Sequence, residues 1–355
     1  MTTPPPSAAK SSSKTGEEGA PVRTPLSPVH TLLGIEVVGL GSYLPDGIVH
    51  NTQLASQGFD ADWILQRTGI QERRHAADHL ATSDLAAEAA RRALARAGRQ
   101  AHEIDLILMA TMTPDMQCPS TACHLQKLLG ATCPAMDLQA ACSGFMYALA
   151  TAAQFIHSKT CRLVLVVGAE TMSRTVSSRD MKTYPLFGDG AGAALVGPGS
   201  SEQGLVAYTL GAEGRIGDVL QIPVGGSREP LTPENYEEHR QFLTMDGRAV
   251  FKWAVRVAAD TCRQVLDHAR LPVGEIDHVI FHQANMRILD AVSDELGIRR
   301  EQLATNLDRV GNTSAASIPL VLDELQEAGR LLRGQRLLLC GFGAGLTWGT
   351  AVVRW

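Results

Sequence analysis

The stretch RRALARAGRQAHEIDLILMAT, residues 91–111, decides the fold, because its skeleton returns at residues 262–283 as CRQVLDHARLPVGEIDHVIFHQ. In each copy a helix-forming run leads through Glu-Ile-Asp (103–105 and 275–277) into an apolar strand. Further out, Arg162-Leu163-Val164-Leu165-Val166-Val167-Gly168 is matched by Arg336-Leu337-Leu338-Leu339-Cys340-Gly341, at nearly the same offset from its own Glu-Ile-Asp. Leu- and Val-rich strands resemble one another by chance, but a shared offset for two separate segments argues for a duplicated α/β unit. Around these segments, short apolar runs such as IEVVGLGSYLP (35–45) alternate with Ala-rich helical stretches at 83–98 and 143–157. The halves are expected at 33–205 and 206–355. Residues 1–32, rich in Pro, Ser and Thr, carry too little apolar surface to offset ordering entropy and are expected to be a disordered tail.

Composition narrows the function classes. In a chain of 355 residues, 45% hydrophobic content with only 5% aromatics suits an aliphatic layered core. A formal net charge of -5 gives no broad positive field, so neither nucleic acid nor an anionic membrane is an expected partner. No apolar run is long enough to span a bilayer, and the start lacks the apolar centre of a secretion signal, which points to the cytoplasm. The seven cysteines form no CxxC pair and read as reduced thiols, with neither a metal site nor a disulfide framework.

Open α/β sheets place reactive groups just beyond the carboxyl ends of strands. At one such junction, Met136-Asp137-Leu138-Gln139-Ala140-Ala141-Cys142-Ser143-Gly144 runs from a short strand into a long apolar helix. The helix N-terminus there favours a lowered thiol pKa at Cys142, although one cysteine among seven is also readily core filler. His282 closes the apolar strand of the second copy, and Asn312 sits in Gly311-Asn312-Thr313-Ser314-Ala315-Ala316-Ser317. Each has an ordinary structural reading as well, the asparagine as a turn or cap. Gly341-Phe342-Gly343-Ala344-Gly345 reads as a tight hairpin able to present backbone N–H groups. Gly188-Asp189-Gly190-Ala191-Gly192 leads into a strand, not a helix, and is rejected as a phosphate loop.

With these residues in view, the chain resembles β-ketoacyl-ACP synthase III (the FabH type) of the thiolase superfamily from residue 33 onward. The likeness is carried by Gly41-Ser42-Tyr43-Leu44-Pro45, Trp63-Ile64-Leu65-Gln66-Arg67-Thr68-Gly69-Ile70, Ala141-Cys142-Ser143-Gly144-Phe145, His282-Gln283-Ala284-Asn285, the Asn312 segment and Thr347-Trp348-Gly349. The resemblance implies a duplicated five-layer αβαβα α/β fold, a homodimer, and no metal or redox cofactor. It implies that Cys142 takes an acyl group from acyl-CoA, and that a malonyl thioester on acyl carrier protein is then decarboxylated and condensed, initiating fatty acid synthesis. His282 and Asn312 would hold the enolate, and the backbone N–H groups of Cys142 and Ala344 would form the oxyanion hole. Trp63, Arg67, Arg174 and Asn285 would bind CoA, Lys252, Arg256 and Arg287 would dock the carrier, and Cys118 and Phe342 would border the acyl pocket. Two departures stand out. Asp294 and Glu295 occupy a place where relatives often carry a lysine pair, and Cys118 stands where acetyl-preferring relatives place Phe, so a primer longer than acetyl is expected. A homologous enzyme of secondary metabolism, using acyl transfer or a CoA-bound extender, is the alternative.

Overall fold

The structure, a computed structural model, describes residues 26–355; residues 1–25 of the tail expected over 1–32 lie outside the described residues. Along the chain, strands β1 (His30–Leu33) and β2 (Ile35–Tyr43) precede helices α1 (Ala61–Thr68) and α2 (Thr82–Ala97). Then come β3 (Leu106–Ala110), α3 (Thr121–Leu129), β4 (Ala135–Leu138), α4 (Gly144–His157), β5 (Val164–Thr171) and β6 (Asp189–Pro198). The remainder runs β7 (Gly204–Ala212), α5 (Gly247–Ala269), β8 (His278–Phe281), α6 (Met286–Leu296), α7 (Ser317–Glu327), β9 (Arg336–Gly343) and β10 (Thr347–Arg354). The expected start of ordered chain at residue 33 is corrected. His30 pairs with Tyr208 and Leu33 with Gly204, so β1 satisfies its backbone on β7 while Leu32 is buried.

Two five-stranded sheets result, ordered β2-β6-β5-β3-β4 and β1-β7-β10-β9-β8. Four strands of one match four of the other: β2-β6-β5-β3 corresponds to β7-β10-β9-β8, with α2, α3 and α4 answered by α5, α6 and α7. The Glu-Ile-Asp segments explain the recurrence physically. The Asp105 carboxylate accepts the Arg162 and Leu163 N–H groups (2.6 and 3.0 Å), and the Asp277 carboxylate accepts the Arg336 N–H at 2.8 Å. Each aspartate thereby sets the register of a parallel pair, β3 on β5 and β8 on β9.

Helices α4 and α7 lie between the sheets, in a core built from both. Helix α4 is apolar on nearly every face, as a doubly covered helix must be, and α7 is apolar through Leu322 before Asp323, Glu324, Gln326 and Glu327 turn its end polar. Helices α2 and α3 cover the outer face of the first sheet, and α5 and α6 that of the second. The layering is αβαβα.

Candidate active site

Both central helices are entered through the same device. A 3-10 turn, Ala141–Ser143, precedes α4, and another, Ser314–Ala316, precedes α7. Each opens on a non-glycine residue in the left-handed region, Ala141 at φ 45° and Ser314 at φ 49°. Such geometry costs about 1 kcal/mol or more and persists only where packing enforces it. Enforcement comes from strand glycines. A Cβ on Gly168 of β5 would lie 2.3 Å from the Ala315 carbonyl oxygen, and one on Gly341 of β9 would lie 3.1 Å from Ser143 Cα. The elbows thus pack against the sheets from opposite halves, and bring Cys142 and the Asn312 loop together.

Cys142 is buried on the first elbow. The expected lowering of its pKa is corrected: burial pushes the thiol up to about 12, the nearby Ser314 hydroxyl opposes the rise, and the Glu170 carboxylate adds to it. At rest Cys142 is a thiol. The imidazole of His282 follows the end of β8, its backbone N–H bonded to the Cys340 carbonyl at 2.8 Å. Its Nδ1 lies 2.8 Å from Ser317 Oγ, and its ring meets Phe342 edge-on at 5.4 Å. Burial lowers its pKa to about 3, so it is neutral near pH 7. Asn312 is held by backbone bonds to Leu186 and Gly188 (2.8 and 3.0 Å), and its Oδ1 accepts the Ser314 N–H at 2.9 Å. The amide NH2 is then the group it has to offer. Gly188 serves this contact, since a Cβ there would fall 2.3 Å from the Val310 carbonyl oxygen, and Asp189 is spent on the Ala76 and Ser173 N–H groups.

Cys142, His282, Asn312, Phe342 and Ala344 line one cavity of about 590 Å3 that also reaches Trp63, Arg67, Lys252, Asn285 and Arg287. The glycine segment is a hairpin between β9 and β10, as its sequence suggests. Gly343 lies against Cys142, 2.9 Å from Cys142 N to where its Cβ would stand. Thr347 ties the hairpin to the elbow, its Oγ1 lying 2.9 Å from the Ala344 carbonyl, 3.0 Å from that of Ala140 and 2.8 Å from Ser143 Oγ. Asn285 caps α6 through the Arg287 N–H and donates to the Arg67 carbonyl, bracing α6 against α1.

Three expected residues do not line this cavity. Arg174 donates to the carbonyls of Ala77 and Leu80 (3.0 and 2.7 Å), which occupy its guanidinium. Arg256 lies two turns along α5 from Arg248, and Cys118 is exposed on the surface of its own chain. Sequence reading missed the cations Lys182 and Arg248, which do line it, because nothing in their local sequence connects them to the other segments. It also missed Glu170, a fully buried carboxyl at the end of β5. Its signal was a charged residue closing the apolar run VLVVGA.

Residues 136–214 match the family model of 3-oxoacyl-[acyl-carrier-protein (ACP)] synthase III, and residues 266–355 match that of its C-terminal region. A β-ketoacyl-[acyl-carrier-protein] synthase III of Rhodopirellula baltica is 53% identical over 342 residues, covering 91% of this chain and 99% of the relative. The chain belongs to the β-ketoacyl-ACP synthase III family. It is accordingly a condensing enzyme of the acyltransferase type, with the thiolase-like fold. The crystal structure of 3-oxoacyl-[acyl-carrier-protein] synthase III from Aquifex aeolicus is 40% identical and superposes with a TM-score of 0.84, over 91% of this chain and 100% of that one. The priming β-ketosynthase of the R1128 polyketide pathway is 35% identical, with a TM-score of 0.83 over 94% of this chain and 98% of its own. Among the described residues, no group of three or more His, Cys, Asp or Glu is placed to hold a metal ion, and no helix is long and apolar enough to cross a membrane.

Proposed function

We propose that this synthase III condenses an acyl-CoA primer with a malonyl thioester on acyl carrier protein, using Cys142 as nucleophile and His282 and Asn312 as enolate donors, with no cofactor. The single observation that supports this best is the convergence of those three side chains, from both halves of the chain, on one cavity. Cys142 attacks the acyl thioester and expels the CoA thiol. The malonyl group then loses CO2, and its negative charge develops against the neutral His282 and the Asn312 amide. The resulting carbanion attacks the acyl group on Cys142, with the backbone N–H groups of Cys142 and Ala344 taking the oxyanion. Trp63 and Arg67, exposed where the cavity opens, suit the CoA nucleotide, with Asn285 beside the pantetheine; Arg174 contributes only if its contacts to Ala77 and Leu80 are released. Lys252 and Arg287, joined by Arg248, suit an acidic carrier, and Arg256 continues the same face of α5.

The protein acts as a homodimer in the cytoplasm. Support for the dimer comes from β4, the outer strand of its sheet, with Met136 39% exposed and Leu128 and Met116 exposed nearby in sequence. Cys118, exposed in the same region, would then border the partner's acyl pocket and admit primers longer than acetyl.

The test is intact mass after incubation with a chain-length series of acyl-CoAs, on wild type and Cys142→Ala, together with CO2 release from malonyl carrier and from malonyl-CoA. Wild type should gain one acyl mass that Cys142→Ala lacks, and release CO2 faster from the carrier; no adduct on wild type sinks the reading. The likeness to a polyketide priming synthase supports a second reading, a role in secondary metabolism. Faster CO2 release from malonyl-CoA than from the carrier favours it.

A further inference from the structure

Glu170 takes no part in the chemistry described so far, yet it is bonded to Ser314, on the turn that packs against the Cys142 turn. Its side chain is fully buried at the end of β5. Oε2 accepts from Thr113 Oγ1 (2.6 Å), Thr111 Oγ1 (3.1 Å) and the Met112 and Thr113 N–H groups (both 3.1 Å). Thr113 Oγ1 itself takes the Thr171 N–H at 2.9 Å, which leaves its own proton for Glu170. Oε1 accepts from Ser314 Oγ at 3.0 Å, and Ser314 opens the turn that packs against the turn carrying Cys142. The cage contains hydroxyls and amides and no cation. A buried anion surrounded by neutral donors, with a serine leading from it to a catalytic thiol, is built to exchange a proton with that thiol.

We propose that Glu170 stores the Cys142 proton between the two half-reactions, receiving and returning it through the Ser314 hydroxyl. The proposal rests on the reading of Cys142 as nucleophile. During acylation the Cys142 S–H bond breaks as the bond from Sγ to the acyl carbon forms; the thiol proton passes to Ser314 Oγ while the serine's own proton passes to Glu170 Oε1. CoA leaves as its thiolate and takes a proton from solvent. During condensation the tetrahedral adduct expels the Cys142 thiolate, the two transfers reverse, and Glu170 is again a carboxylate. No oxidant or reductant is involved. Handing the proton to His282 instead would create a buried imidazolium where burial already holds the ring neutral. Transfer to Glu170 relocates one negative charge within the buried site and leaves its net charge constant, which avoids the cost of separating charge at low dielectric.

The surroundings leave few rivals for the proton. Cys142 is the titratable group that interacts electrostatically with Glu170 from the elbow. The segment after β3 contributes Thr111, Met112 and Thr113, and its Asp115 is turned to the Ser83 N–H and hydroxyl (2.9 and 2.6 Å). Residues 311–317 are uncharged, and β5 has no other charged side chain.

The experiment compares wild type with Glu170→Gln, Ser314→Ala and Glu170→Asp in single-turnover acylation, read by intact mass, and separately in CO2 release from malonyl carrier without an acyl donor, which moves no proton from Cys142. Glu170→Gln and Ser314→Ala should slow acylation about a hundredfold or more while CO2 release stays within about threefold, the usual size of a proton-transfer contribution. Glu170→Asp should recover part of the loss. Wild-type acylation should rise with pH through an inflection near 7 that Glu170→Gln lacks. Acylation by Glu170→Gln within about threefold of wild type overturns the proposal, as does an equal loss in both partial reactions, which marks the cage as structural. Failure of the underlying reading looks different: Cys142→Ala would then carry the acyl mass.

Discussion

Behind the elbow, burial pushes three ionisable side chains toward their neutral forms: the Cys142 thiol up to about 12, the His282 imidazole down to about 3 and the Glu170 carboxyl up to about 7. The same desolvation has opposite consequences for stability. Folded Glu170 holds its proton in a range where the unfolded chain has lost it, so its contribution is complete below pH 4.5 and disappears as pH rises through 7. At about 1.4 kcal/mol for each pH unit of displacement, that is roughly 3 kcal/mol. His282 behaves in reverse, because the unfolded chain takes up a proton below 6.5 that the folded protein refuses, and stability falls as pH drops toward 3. Glu170→Gln removes the first slope and leaves the second. The difference in urea unfolding free energy, variant minus wild type, should therefore grow by about 2 kcal/mol between pH 5 and pH 8. A flat difference would mean that the carboxyl is not strained by its burial.

At the scale of elements, the two elbows are the units that carry the site, and the strand glycines beneath them are not equivalent. A Cβ on Gly168 would meet backbone, the Ala315 carbonyl oxygen at 2.3 Å, whereas one on Gly341 would meet the flexible Met146 side chain and Ser143 Cα, both at 3.1 Å. Gly168→Ala should cost about 1–3 kcal/mol in urea unfolding, more than Gly341→Ala, and should slow acylation by displacing Ser314. Equal costs would mean that the elbows tolerate the same displacement. The strands and helices around the elbows were legible because their periodicity is written into long runs, and the paired Glu-Ile-Asp segments gave away the duplication. The equivalence of the elbows was not, since Ala-Cys-Ser and Ser-Ala-Ala share no sequence and are related only by a left-handed first residue. Strand β1 was lost for a related reason: four residues, HTLL, are too few to show alternation, and they become a strand by pairing with β7.

For the whole molecule, a cavity formed by both halves gathers Arg67 from α1, Lys182 from the segment before β6, Arg248 and Lys252 from α5 and Arg287 from α6. The chain as a whole carries -5, so a substrate or partner of negative charge is repelled by the molecule at large and attracted at this opening. Glu295, one of the two acidic departures noted near the proposed carrier-docking residues, is paired with Arg263 at 2.7 Å, which reduces its opposition to that attraction. Of the five cations, Lys252 is the one on α5 furthest from the helix start, and among the described residues it forms no ion pair that reversal of its charge would break. If the opening steers an acidic carrier, kcat/KM for malonyl carrier should fall about tenfold as ionic strength rises from roughly 0.05 to 0.5 M, where screening shortens to about 4 Å. Lys252→Glu should start lower and depend less on salt, because it removes part of the attraction that salt screens. Its acylation by acyl-CoA should change less, since the reacting thioester lies deeper, at Cys142. An unchanged salt slope in Lys252→Glu would place the carrier on another face of the molecule and leave this rim to CoA alone.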